Sequence, residues 1–148
     1  MKKLFFIIPL TLSISMMGCS TDTNQEENQE ISNHEIDLVE QVKTIEDVNV
    51  EKFAALIEKG EGQVLDVRTP EEWQSGVIKG AIKINFYDSN FKEQIGKLDK
   101  KRPVFVYCKA GGRSAGAAKQ LQESGFNEVY NLLGGITAWD AANKELDQ

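Results

Sequence analysis

Pro103-Val104-Phe105-Val106-Tyr107-Cys108-Lys109-Ala110-Gly111-Gly112-Arg113-Ser114 passes from a wholly apolar run to a thiol and then to two glycines. The apolar part predicts a strand buried on both faces, as the centre of a parallel sheet requires. The glycines predict a tight turn, and the helix-forming residues after Ser114 predict a helix that begins where the turn ends. The first N–H groups of such a helix have no partner within it and can converge on an anion. A sulfur held there is favoured as thiolate, so Cys108 is the candidate nucleophile.

The flanking sequence alternates strands with helical patterns from about Val42 onward, which predicts βα units around a mostly parallel sheet. Asn49 caps a helix with Val50, Phe53, Leu56 and Ile57 on one face, and Gly60 ends it. Val64–Val67 is a short strand. Thr69-Pro70-Glu71-Glu72 joins an N-cap, a first-turn proline and a glutamate three residues on, a capping-box pattern. Ala81–Ile84 and Val129–Leu132 are two more strands, and Phe91, Ile95 and Leu98 mark a short helix. The helix after Cys108 carries Ala115, Ala118 and Leu121 and stops at Gly125. Gly134-Gly135 introduces a last helix with Ile136 and Trp139. Asp66, Cys108 and Gly134 all fall at C-terminal strand ends, where open α/β sheets bind ligands. Trp73, Trp139 and Phe105 read as core residues.

The first 41 residues have a different character. Lys2 and Lys3 precede the apolar stretch Leu4–Ile14, and Gly18-Cys19 follows, as in a secretory signal over residues 1–18. The apolar stretch is shorter than the roughly 20 residues a spanning helix needs. Ser15-Met16-Met17-Gly18-Cys19 resembles a bacterial lipobox, with Met16 where leucine is usual. That resemblance implies an acylated Cys19, a membrane anchor and a domain held in the cell envelope outside the cytoplasm. Residues 19–41 carry seven acidic side chains and no Lys or Arg, and read as an acidic flexible tether. The single histidine, His34, lies in that tether with no metal-ligand partners nearby and receives no role.

Charge narrows the partners. Loss of residues 1–18 leaves 15 basic and 23 acidic side chains, a formal charge of −8. A nucleic-acid footprint needs clustered Lys and Arg, so no such partner is expected. With Cys19 acylated, Cys108 is the sole thiol and cannot form an intramolecular disulfide. No metal and no cofactor are called for.

Residues 42–148 resemble a single-domain rhodanese, a member of the sulfurtransferase superfamily. The resemblance rests on Asp66-Val67-Arg68, Glu71-Glu72-Trp73, Gly76–Ile78 with Gly80-Ala81, the Cys108–Ser114 loop, and Gly134-Gly135 with Ala138-Trp139. It implies an α/β fold with a central, mostly parallel sheet of about five strands flanked by helices on both faces. It also implies transfer of a sulfane sulfur from thiosulfate, polysulfide or a persulfide, through a Cys108 persulfide, to a thiol, cyanide or a partner protein. Many members carry histidine where this chain has Val77.

Residue chemistry agrees. An unperturbed thiol at pKa about 8.5 is only a few per cent ionised near neutrality. Each unit of depression needs about 1.4 kcal/mol, and a helix terminus supplies about 0.3–2 kcal/mol. Ala110, Gly111 and Gly112 are expected to act through their backbone, with Lys109 setting local potential or touching an anionic donor. Arg113 either pairs with that donor or braces the loop against a carboxylate. Ser114 is either a plain first-turn residue or a hydrogen-bond donor to sulfur. Asp66 and Arg68 are expected to support the site rather than react. Two other functions compete. A sulfur carrier without turnover would use the same persulfide. A cysteine-loop phosphatase or arsenate reductase needs five residues between Cys and Arg, whereas Lys109–Gly112 is four.

Overall fold

The computed structural model describes residues 43–148. The proposed signal, Cys19, the acidic tether and His34 lie outside the described residues. Five strands form one sheet: β1 (Thr44–Val48), β2 (Gln63–Asp66), β3 (Ile82–Lys83), β4 (Val104–Tyr107) and β5 (Glu128–Leu132). Their spatial order is β1-β5-β4-β2-β3, and every pairing is parallel. The helices are α1 (Val50–Glu58), α2 (Pro70–Trp73), α3 (Phe91–Ile95), α4 (Gly112–Glu123) and α5 (Gly135–Ala141). This is the expected five-stranded parallel sheet with helices on both faces.

Alternation along β4 divides the core. Val104, Val106 and Cys108 face α3 and α4, packed with Leu121, Phe126 and Val129. Phe105 and Tyr107 face α1 and α5, packed with Phe53, Ile136 and Trp139. Phe53 meets both Phe105 and Trp139 edge-on, with ring centroids 6.1 Å apart in each pair. Trp73 departs from expectation. It is half-buried, belongs to neither cluster, and its indole Nε1 has no hydrogen-bond partner. The α2 turn is only four residues long and carries no buried residue, so the ring has no core to enter.

Two strands differ from the sequence reading. β1 has no counterpart in the sequence reading, because Thr44-Ile45-Glu46-Asp47-Val48 is an acidic edge strand without an apolar run, of which only Val48 is buried. β3 is two residues rather than four, and both are exposed. Asn49 caps α1 through its side chain, accepting from Lys52 N at 3.0 Å, and Gly60 ends that segment with φ +71°.

The C-terminal end of β2 carries a buried ion pair. Arg68 is 2% exposed and Asp66 0%. Arg68 Nε donates to both carboxylate oxygens of Asp66, at 3.0 and 2.9 Å, and Nη2 donates to Oδ2 at 2.7 Å. Its remaining donors reach the Glu72 and Gly76 carbonyls at 2.9 and 2.6 Å. The pair thus ties β2 to the α2 turn. Asp66→Ala strands a buried guanidinium and is expected to cost about 3–5 kcal/mol, read as a lowered urea midpoint at unchanged slope.

Candidate active site

Cys108 follows the last residue of β4, and α4 begins four residues later. Gly111 is the N-cap of α4 with φ +98°, a conformation open to glycine at little cost. That turn aims Gly111 N–H at the Cys108 sulfur, at 3.1 Å. Ser114 lies within reach of the sulfur and of the turn backbone, and its single hydroxyl proton can serve one of them at a time. The residue sits in the first turn of α4, with Oγ 3.5 Å from Cys108 Sγ and 3.0 Å from the Gly111 carbonyl. Burial pushes the Cys108 thiol upward, but hydrogen bonds from Ser114 and from the Ala110 and Gly111 backbone outweigh it. The thiol lies below its ordinary value.

The residue itself is only 1% exposed, under a rim formed by the exposed Lys109, Ala110 and Gly112. A second helix pins the rim. Ile136 N–H in the first turn of α5 donates to the Cys108 carbonyl at 2.8 Å. Thr137 N–H and Oγ1 reach the Lys109 carbonyl at 3.1 and 2.9 Å. Gly135 permits that approach, since a Cβ there would collide with the carbonyls of Cys108 and Lys109. The sulfur is therefore held by α4 and its own loop is held by α5.

Arg113 is paired with a carboxylate. Both terminal nitrogens donate to Glu72, Nη1 to Oε2 at 2.6 Å and Nη2 to Oε1 at 2.7 Å. Its guanidinium carbon lies 5.8 Å from the Tyr87 ring centroid. Glu72 accepts in addition from Thr69 N–H at 3.0 Å, completing the capping box. The Arg113 guanidinium beside it holds its carboxyl down at about 2. Glu72 is the participant that sequence reasoning left out, because its capping-box position already accounted for it. Asp66 and Arg68 bond to each other and to the α2 turn that carries Glu72. Val77 is buried and pairs antiparallel with Asp147, exchanging hydrogen bonds of 2.8 Å in each direction.

Residues 49–142 match the rhodanese-like domain. The chain belongs to the rhodanese-like family. A thiosulfate sulfurtransferase GlpE of Shewanella oneidensis is 36% identical over 96 residues, 65% of this chain and 93% of that protein. The GlpE of Pseudoalteromonas translucida is 32% identical over 98 residues, 66% of this chain and 91% of its own. Among solved structures, a rhodanese-related protein of Thermoplasma volcanium superposes with a TM-score of 0.61 at 30% identity. That match covers 69% of this chain and 97% of the other. Kinship places the chain with the sulfurtransferases.

Removing the Ser114 hydroxyl removes one hydrogen bond to the thiolate. Ser114→Ala is expected to raise the Cys108 titration midpoint by about half to one pH unit, measured from the pH dependence of alkylation rate.

Proposed function

We propose that this protein is a sulfurtransferase in which Cys108 accepts a sulfane sulfur as a persulfide and passes it to a thiophilic acceptor. The observation that carries the reading is the thiol held under Gly111 N–H and the Ser114 hydroxyl, with its pKa drawn down despite burial. The Cys108 thiolate attacks the outer sulfur of the donor, and the donor's S–S bond breaks with its electron pair on the leaving fragment. The resulting Cys–S–S⁻ stays beneath the same donors. A thiol or cyanide then attacks the outer sulfur and returns Cys108 as thiolate, a two-step covalent cycle.

The relatives named thiosulfate sulfurtransferase support this chemistry. Loop length supports it over phosphoryl transfer, since four residues between Cys108 and Arg113 make a smaller ring than a tetrahedral oxyanion needs. Cys19 is proposed as the lipid anchor that keeps the domain at a membrane of the bacterial envelope. This rests on the lipobox resemblance alone.

Treatment with polysulfide is expected to add the mass of one sulfur atom at Cys108. Cys108→Ser abolishes both that adduct and catalytic thiocyanate formation. Undiminished turnover in Cys108→Ser would refute the mechanism, and thiocyanate limited to about one per chain would identify a carrier. Cys19→Ser is expected to move the full-length protein from the membrane fraction to the soluble one with its sulfur loading intact.

A further inference from the structure

Four large apolar side chains are exposed among the described residues, and the two most exposed flank the Cys108 loop. Ile45 and Ile82 lie on β1 and β3, the outer strands, where single exposed side chains are ordinary. Tyr87, 67% exposed, and Leu133, 49% exposed, instead follow β3 and β5, at the end of the sheet where Cys108 follows β4. In the sheet order β4 lies between those two strands. Leu133 borders the loop directly. A Cβ on Gly111 would stand 3.4 Å from the Leu132 carbonyl oxygen and 3.3 Å from the Gly134 nitrogen. Tyr87 borders it from the other side, through the Arg113 guanidinium 5.8 Å from its ring centroid.

Both positions are fixed before anything binds. Leu132 is buried in the core, so alternation along the strand turns Leu133 outward, and Leu133 N–H donates to the Val48 carbonyl at 2.9 Å. Tyr87 N–H donates to Asn85 Oδ1 at 3.1 Å, and Asn85 Nδ2 to Asp88 Oδ1 at 2.8 Å. Gln94 Nε2 donates to Asp88 Oδ2 and to Asn90 Oδ1, at 3.2 and 2.8 Å, which closes the loop that presents Tyr87. Its ring meets Phe86 edge-on at 5.7 Å. Side chains ordered in advance lose little freedom when a partner covers them.

The position of the thiol says what covers them. Cys108 is buried beneath the rim, so an acceptor sulfur has to reach inward past it. Lys109 on that rim is exposed, has no ion-pair partner among the described residues, and offers a cation to an arriving thiolate. A low-molecular-weight thiol makes that approach while leaving Tyr87 and Leu133 in water. A polypeptide that continues on both sides of its cysteine covers both. In an extended segment the residues two before and two after the cysteine share its face, and those are the ones set to meet the two apolar side chains.

Resting on the sulfur-transfer reading above, we propose that Tyr87 and Leu133 dock an extended segment of an acceptor protein, whose cysteine reaches Cys108 and whose apolar residues lie two positions to either side. The acceptor thiolate R–S⁻ attacks the outer sulfur of Cys108–S–S⁻. The new R–S–S⁻ forms as the old S–S bond breaks, and Cys108–S⁻ leaves with its electron pair. Tyr87 and Leu133 touch neither sulfur. They set which acceptor is taken.

The test follows unloading of Cys108 on the full chain after treatment with polysulfide. Second-order rate constants are measured with cyanide and with two capped pentapeptides. Both carry cysteine between two alanines, one with leucine at each end and the other with serine. On the unsubstituted protein the leucine peptide is expected to react about tenfold faster than the serine peptide, through burial of its end residues. In Leu133→Ser and in Tyr87→Ser the ratio of the leucine-peptide rate to the cyanide rate is expected to fall about fivefold. Equal rates for the two peptides, or a ratio unmoved in either variant, overturn the inference and leave sulfur transfer intact. A protein that is dimeric by light scattering and monomeric as Leu133→Ser assigns the patch to a second copy, and overturns it as well. Failure of polysulfide to load Cys108 overturns the sulfur-transfer reading and this one with it.

Discussion

The buried contact between Asp66 and Arg68 is the constraint through which the rest of the site is arranged. Taking a guanidinium and a carboxylate out of water costs several kcal/mol per ion, and only complete hydrogen bonding offsets it. Arg68 meets that condition by reaching two backbone carbonyls besides Asp66, those of Glu72 and Gly76. The end of β2, the α2 turn and the chain running toward β3 are thereby locked to one point. Glu72 emerges from that turn with its carboxylate set against Arg113, in the first turn of α4. A structural ion pair thus fixes, through one intervening glutamate, the helix that holds the thiol.

Around Cys108 two opposing effects are balanced. A sulfur with almost no exposure should resist ionisation, since burial disfavours charge. It ionises more readily than usual because hydrogen-bond donors from the turn and from Ser114 were already oriented toward it when the chain folded. In the proposed sulfur transfer little reorganisation would then be required as negative charge moves from thiolate to persulfide, the condition under which fixed dipoles act most strongly. α5 contributes by holding the Cys108 and Lys109 carbonyls, which keeps the turn from relaxing away from the sulfur. The donors that reach the sulfur are the Gly111 N–H and the Ser114 hydroxyl, and no histidine lies among the described residues.

The legibility of these features in the amino-acid sequence varied with how local their causes are. Val104–Tyr107 could be placed to the residue because burial on both faces leaves a continuous apolar run. The Cys108 turn could be read because Gly111 and Gly112 announce a conformation other residues avoid. β1 escaped because an edge strand next to β5 can be acidic, and Glu46 and Asp47 conceal its periodicity. The fate of Arg113 was undecidable because its partner, Glu72, lies 41 positions away in sequence. Glu72 in turn had a sufficient local explanation as a capping residue. Trp73 read as core because aromatic side chains commonly are, yet the short α2 turn leaves it at the periphery. The family resemblance supplied the number of strands and their mostly parallel pairing, while the order β1-β5-β4-β2-β3 is contained in no single strand pattern.

The polarity of the parallel sheet has a further effect on how the domain can be displayed. Thr44 starts β1 at the edge where all five strands begin, whereas Cys108 follows β4 at the edge where they finish. A strand of five residues spans roughly 17 Å, so chain attachment and chemistry sit on opposite poles. The first described residues and the Cys108 sulfur are thus separated by the depth of the sheet.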